Sequence, residues 1–245
     1  EKLVEAVQDP RTHRYSTSRG IKGLRRALAE YYQRRFDVVL DPDKEVIVTL
    51  GSKEGLANLA SAISAPGDVI LVPNPSYPIH AYGFIIAGAG VRHVPAGPGI
   101  DLMAEIHRAV KDSVPAPRAL VLNFPNNPTG EVVDLAFYKE VVGLAKAHGM
   151  LILSDIAYAE IYFDSEPPPS ILQIPDARDI TVEFSSLSKT YSMPGWRVGF
   201  GVGNKDLINA LARIKSYLDY GAFTPVQVAA SAALNGSQDY VERIR

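Results

Sequence analysis

Short apolar runs alternate along the chain with longer amphipathic stretches, and this alternation predicts the elements. Runs rich in β-branched residues at 46–50, 69–72, 91–94, 119–124, 151–154, 181–184 and 198–202 read as strands. Several are apolar at nearly every position, as parallel strands covered on both faces are. Stretches with apolar residues at helical spacing read as helices at 54–64, 79–87, 102–111, 135–148 and 205–218. A basic amphipathic segment at 23–35 precedes them, with Leu24, Ala27, Leu28 and Tyr31 at helical spacing. Strand, helix, strand repeated this often implies right-handed crossovers and a mostly parallel sheet with helices on both faces, a doubly wound α/β fold. No linker or fixed-period repeat divides residues 1–245, and Glu166-Pro167-Pro168-Pro169 reads as a stiff surface loop.

Composition narrows the function classes. With 245 residues, 47% hydrophobic and 21% charged, the chain has the make-up of an ordinary globular α/β protein. A formal net charge of −2 supplies no global attraction for nucleic acid or an anionic membrane, so small molecules are the expected partners. The absence of cysteine removes disulfides, thiolate metal sites and a cysteine nucleophile, and makes the cytoplasm the default location. No apolar run is long enough to span a bilayer. The five histidines, at 13, 80, 93, 107 and 148, show no metal-ligand spacing and are expected to be structural or exposed.

Ligands of open α/β sheets bind beyond the carboxyl ends of the strands, and four of the predicted ends are rich in polar chemistry. The first runs into Gly51-Ser52-Lys53, where backbone N–H groups, a hydroxyl and an ammonium suit an anion. Another ends in Pro125-Asn126-Asn127-Pro128-Thr129-Gly130, a rigid loop that aims an amide. A third places Asp155 directly after a buried strand, with Tyr158 three residues on. The fourth leads to Ser186-Leu187-Ser188-Lys189, with Arg197 beyond. Pyridoxal phosphate needs that set: an amine for its aldehyde, N–H, hydroxyl and guanidinium donors for its phosphate, and a carboxylate for its ring nitrogen. A phenol and an amide, Tyr158 and Asn127, suit its ring oxygen.

Ser186-Leu187-Ser188-Lys189 followed by Met193, Gly195, Arg197 and Gly199 closely resembles the cofactor-attachment signature of the class I/II aminotransferases, the fold type I pyridoxal phosphate enzymes. Gly51-Ser52-Lys53, Asn74-Pro75-Ser76-Tyr77-Pro78, Asn127-Pro128-Thr129-Gly130 and the Asp155/Tyr158 pair appear in the family's order. The resemblance makes Lys189 the lysine that holds the aldehyde and moves the substrate proton, with Asp155 on the ring nitrogen. It places Ser52, Lys53, Ser186, Ser188 and Arg197 in the phosphate-contacting segments, Tyr77 against the ring face, and Asn127 and Tyr158 on the ring oxygen. Tyr15 resembles the tyrosine lent to the phosphate of a neighbouring subunit, which implies a homodimer with shared sites.

Within the family, the stretches around Gly51, Val72 and Ala212 are most similar to bacterial glutamate–pyruvate (alanine) transaminases, with aspartate and diaminopimelate aminotransferases as close neighbours. The implied partners are an L-amino acid and a 2-oxoacid. The family's chains start earlier and continue into a smaller C-terminal domain carrying the arginine for the substrate α-carboxylate. By that comparison both ends of residues 1–245 look cut, this is the large domain with a partial N-terminal segment, and its activity alone is expected to be low.

A rival reading rests on residues 11–35, where Arg11, Arg14, Arg19, Lys22, Arg25, Arg26, Arg34 and Arg35 face Glu30 alone. Such a run suits a nucleic-acid patch, and with it a cofactor-binding regulatory module without turnover. No helix-turn-helix segment accompanies it, and a solvated helix face at a dimer surface is the expectation. Taken singly, Lys189, Lys53 and Arg197 read as surface charges and Asp155 as a cap. Their common signature is what makes them site residues.

Overall fold

The strands and helices read from the periodicity are present in a computed structural model, which describes residues 1–163 and 166–245. Seven strands, β1 (Val46–Thr49), β2 (Val69–Asn74), β3 (Gly90–Pro95), β4 (Pro117–Asn123), β5 (Leu151–Asp155), β6 (Thr181–Ser186) and β7 (Gly199–Gly203), form one sheet in the order β1-β7-β6-β5-β4-β2-β3. From β3 through β6 the neighbours are parallel, whereas β7 runs antiparallel to both β6 and β1. The register sets Asn123 opposite Asp155 and Ser186 opposite Gly199, so the ends of β4, β5 and β6 and the start of β7 share one edge.

The helices are α1 (Lys2–Gln8), α2 (Lys22–Phe36), α3 (Ser52–Ile63), α4 (Ile79–Ile86), α5 (Leu102–Asp112), α6 (Leu135–Ala147), α7 (Leu187–Thr190), α8 (Lys205–Leu218), α9 (Thr224–Asn235) and α10 (Asp239–Ile244). Their starts follow local chemistry: Asp101, Asp134 and Asn204 accept the free backbone N–H groups of α5, α6 and α8. Alternate strand residues feed two cores. Val48, Leu120, Ile152 and Phe200 pack with α2, α5, α6 and α9, while Ile47, Val121, Leu153 and Phe184 pack with α3, α4 and α8. Burial on both faces is why these strands are apolar almost throughout. Sequence periodicity did not show α1, α9 or the short α7; α9 is alanine-rich and offers little contrast between its faces.

The basic run at 11–35 is corrected. It is not a uniformly solvated face: Arg25 is buried, donating to the Pro42 carbonyl at 2.5 Å and to Asp43 Oδ1 at 2.7 Å. Arg35 Nε donates to Glu160 Oε1 at 3.0 Å, and Arg34 reaches the Leu234 carbonyl at 3.0 Å. Much of this charge is spent on joining α2 to the rest of the molecule. Among the described residues no helix is long and apolar enough to cross a membrane.

Candidate cofactor site

A cavity of about 420 Å³ opens at the shared strand edge. Ten residues singled out from the sequence line it: Ser52, Lys53, Tyr77, Asn127, Asp155, Tyr158, Ser186, Ser188, Lys189 and Arg197. They come from the last residues of β5 and β6, from segments following β1, β2, β4, β5 and β6, and from the turn that enters β7. The antiparallel course of β7 is what returns Arg197 to this edge, beside the start of α3. Tyr15 is not among them. It is 85% exposed, with its ring 4.6 Å from that of Tyr220, and does not enter the cavity of its own chain.

One end is built for an anion. Gly51 precedes α3 with φ of 87°, and an added Cβ there would overlap the Arg197 guanidinium. Gly199 lies against the backbone of Gly51 and Ser52, where any side chain would also collide. These two glycines allow guanidinium, helix N-terminus and strand to meet. Arg197 donates to the carbonyls of Pro194 at 2.8 Å and Leu50 at 3.2 Å. Ser186 Oγ and Ser188 Oγ lie 2.8 Å apart, and the Ser188 N–H donates to Ser186 Oγ at 3.1 Å, which caps α7 and orients the segment bearing Lys189. Hydroxyls, a guanidinium and the free N–H groups of a helix start together are a donor set that suits a phosphate.

The other end holds a carboxylate. Asp155 is buried, with Oδ2 3.1 Å from His80 Nε2, and Oδ1 accepts the Ala157 N–H at 3.1 Å. Asn123, also lining the cavity, donates to the Asp155 carbonyl at 2.9 Å and accepts the Asn127 N–H at 2.9 Å. It therefore fixes the backbone of two candidate ligand groups. Lys189 Nζ lies 5.5 Å from the centre of the Tyr158 ring, and Lys53 Nζ lies 5.1 Å from that of Tyr77. His80 and Asn123 were missed in the sequence. His80 follows Tyr77 by three residues and meets its ring edge-on, yet nothing local distinguishes it from the other histidines. Asn123 reads as one more position of a buried strand.

The donor set fits pyridoxal phosphate: an amine, a buried carboxylate, a phenol and an anion cradle face one space of suitable size. A larger groove of about 1240 Å³ adjoins it, sharing Asn127 and Tyr158 and walled by Phe137, Tyr162 and Phe163.

An α/β sheet with these side chains at its carboxyl edge is a candidate cofactor site, and sequence comparison gives the family of the chain. The model of the aminotransferase class I and II family matches residues 1–245, and the chain belongs to that family, whose members use pyridoxal phosphate. The Rhizobium meliloti (strain 1021) protein AatC is 60% identical over 245 residues, covering 100% of this chain and 60% of its own length. The glutamate-pyruvate aminotransferase AlaC of Escherichia coli (strain K12) is 57% identical over 244 residues, covering 100% of this chain and 59% of its own. The apo structure of Bacillus subtilis BacF superposes with a TM-score of 0.94 at 36% identity, covering 99% of this chain and 64% of that one. The chain thus spans about 60% of the length of the curated relatives it matches.

Proposed function

We propose that the protein is a pyridoxal phosphate-dependent transaminase that moves an amino group between an L-amino acid, alanine in the first place, and a 2-oxoacid such as 2-oxoglutarate or pyruvate. The observation that carries this reading is the convergence of Lys189, Asp155, Asn127, Tyr158 and Arg197 on one cavity from widely separated parts of the chain. The 57% identity to AlaC supports alanine over aspartate or diaminopimelate.

When bound, pyridoxal phosphate supplies an aldehyde that condenses with amines and a protonated ring that accepts the electron pair left at the substrate Cα. The side chains do the rest. Lys189 Nζ would hold the cofactor and, with its amine free, would take the proton from the substrate Cα as a general base. Asp155, kept in place by His80 and the Ala157 N–H, would present its carboxylate to the ring nitrogen and keep the proton there. Asn127 and Tyr158 would hydrogen-bond the ring oxygen. Ser52, Ser186, Ser188 and Arg197 would hold the phosphate with the first turn of α3, Lys53 would add positive charge there, and Tyr77 would cover the ring.

In this reading residues 1–245 are the large cofactor-binding domain. The family resemblance assigns the cation for the substrate α-carboxylate to the smaller C-terminal domain of the family's chains. Tyr15, exposed beside Tyr220, is lent to the phosphate of a second copy, and the working unit is a cytoplasmic homodimer.

The test is an absorption titration of the full chain with pyridoxal phosphate, then borohydride treatment and peptide mapping. The reading expects a stoichiometric band and a label on Lys189, and turnover of alanine with 2-oxoglutarate by the full-length protein. A label scattered over surface lysines would overturn the site. Cofactor binding without turnover of any amino acid would favour the regulatory module.

A further inference from the structure

Glu54 stands in the first turn of α3, two residues beyond Ser52. This is where the helix N-terminus and the cradle attract an anion, and a carboxylate here would compete for the same positive potential and repel a phosphate. The structure answers that charge from the far side. Lys215, on α8, points into the protein with its side chain 0% exposed, and its Nζ lies 2.8 Å from Glu54 Oε1 and 3.0 Å from Asp219 Oδ2. It shares the stripe formed by the buried Ile208 and Leu211, where a lysine is out of place unless paired. Glu54 Oε2 accepts the Leu50 N–H at 2.8 Å, while the Leu50 carbonyl accepts from Arg197 at 3.2 Å. The backbone at Leu50 is therefore held between the cradle guanidinium and the carboxylate that Lys215 neutralises. Asp219 Oδ1 also accepts the Gly221 N–H at 2.6 Å, which ties the same cation to the loop bearing Tyr220.

We infer that Lys215 is a positioning residue for the cofactor phosphate: it acts through Glu54, cancelling the carboxylate at the start of α3 so that the cradle keeps its positive potential. The inference rests on the pyridoxal phosphate reading above and adds to it a buried residue outside the cavity.

The test compares dissociation constants for pyridoxal phosphate and for pyridoxal, which lacks the phosphate, on the full chain. Lys215→Met weakens pyridoxal phosphate about tenfold or more while pyridoxal changes less than about twofold, because the repulsion acts on the phosphate. Lys215→Arg retains the phosphate preference. The double variant Lys215→Met/Glu54→Gln regains most of it, since the uncancelled charge has gone with its partner. Lys215→Met leaves two partly buried carboxylates without their cation and can fail to fold. Glu54→Gln, which keeps an acceptor for the Leu50 N–H, covers that case: binding of pyridoxal phosphate holds or tightens, and a loss of about tenfold overturns the inference. Equal weakening of both ligands by Lys215→Met, or a double variant as weak as the single one, overturns it while leaving the cofactor site intact. A wild-type chain that binds neither ligand overturns the cofactor reading and this inference together.

Discussion

His80 Nε2 and Asp155 Oδ2 lie 3.1 Å apart, with both side chains buried. The histidine is carried by α4, after β2, and the aspartate ends β5, so the contact bridges two strand ends separated in the sheet by β4. It holds the carboxylate assigned to the cofactor ring nitrogen. A hydrogen bond to a charged group contributes about 1.5–3 kcal/mol, so His80→Ala should lower kcat/KM by roughly 10- to 100-fold. Steady-state kinetics alongside a cofactor titration checks this, and unchanged kinetics would remove His80 from the site.

Lys189→Ala should bind pyridoxal phosphate without fixing it covalently under borohydride, and should lose turnover by roughly 10²–10⁴-fold or more, the range for a lost proton-transfer group. Partial recovery with an added small primary amine is expected, because the cavity would then admit a free base in place of Nζ. Retained turnover in the variant would reassign the base.

Gly51→Ala should fail at the phosphate end. The added methyl meets the Arg197 guanidinium, and the backbone at φ of 87° strains any residue but glycine. A stability loss of about 1–3 kcal/mol is expected, with pyridoxal phosphate affinity falling more than pyridoxal affinity. Urea unfolding and the two titrations separate these effects.

Glu183 should make stability depend on pH. Burial pushes its carboxyl up to about 7 from an ordinary value of 4.5, although Ser170, Tyr32, Ser154 and the Ile171 N–H all donate to it and pull the other way. Between those values the folded protein keeps a proton that the unfolded chain has released. The contribution is therefore fully present below 4.5 and is lost as pH rises through about 7. The loss is on the order of 3 kcal/mol. Urea midpoints should fall from about pH 5 to about pH 8 in the wild type, and this component should be absent in Glu183→Gln. A wild-type midpoint that does not fall would refute the buried-carboxyl account.

Arg35→Met should destabilise by about 1–3 kcal/mol, since the largely buried Glu160 loses its 3.0 Å cation and keeps Arg245 at 3.8 Å and the Tyr31 hydroxyl. The solvent-exposed Arg26→Met should cost less than about 0.5 kcal/mol. If instead both changes were silent for stability and weakened a steeply salt-dependent DNA affinity, the nucleic-acid reading of this segment would return.

What the sequence determined by itself was local or linear. Burial of strands on both faces writes itself as continuous apolar runs, amphipathic helices as a 3.6-residue period, and both were legible for all seven strands and for the helices between them other than the short α7. Nine of the cavity-lining residues were legible because they sit at or just beyond strand ends, where an α/β sheet places its ligands, and Tyr77 was legible through the family resemblance. Strand order was not. Nothing in the run at 198–202 says that β7 turns antiparallel between β6 and β1, yet that course is what brings Arg197 beside Gly51. His80, Asn123 and Lys215 were equally silent, since each reads as an ordinary position of its own helix or strand. Their roles come from partners 75, 32 and 161 residues away, which only the register of the sheet and the packing of helices on it bring within hydrogen-bond reach. Tertiary structure also decided the fate of the basic run, because charges clustered in sequence become internal ties when α2 packs against the loops holding Asp43 and Glu160. Periodicity reports which face of an element is buried; it carries no information about which distant polar group that face will meet.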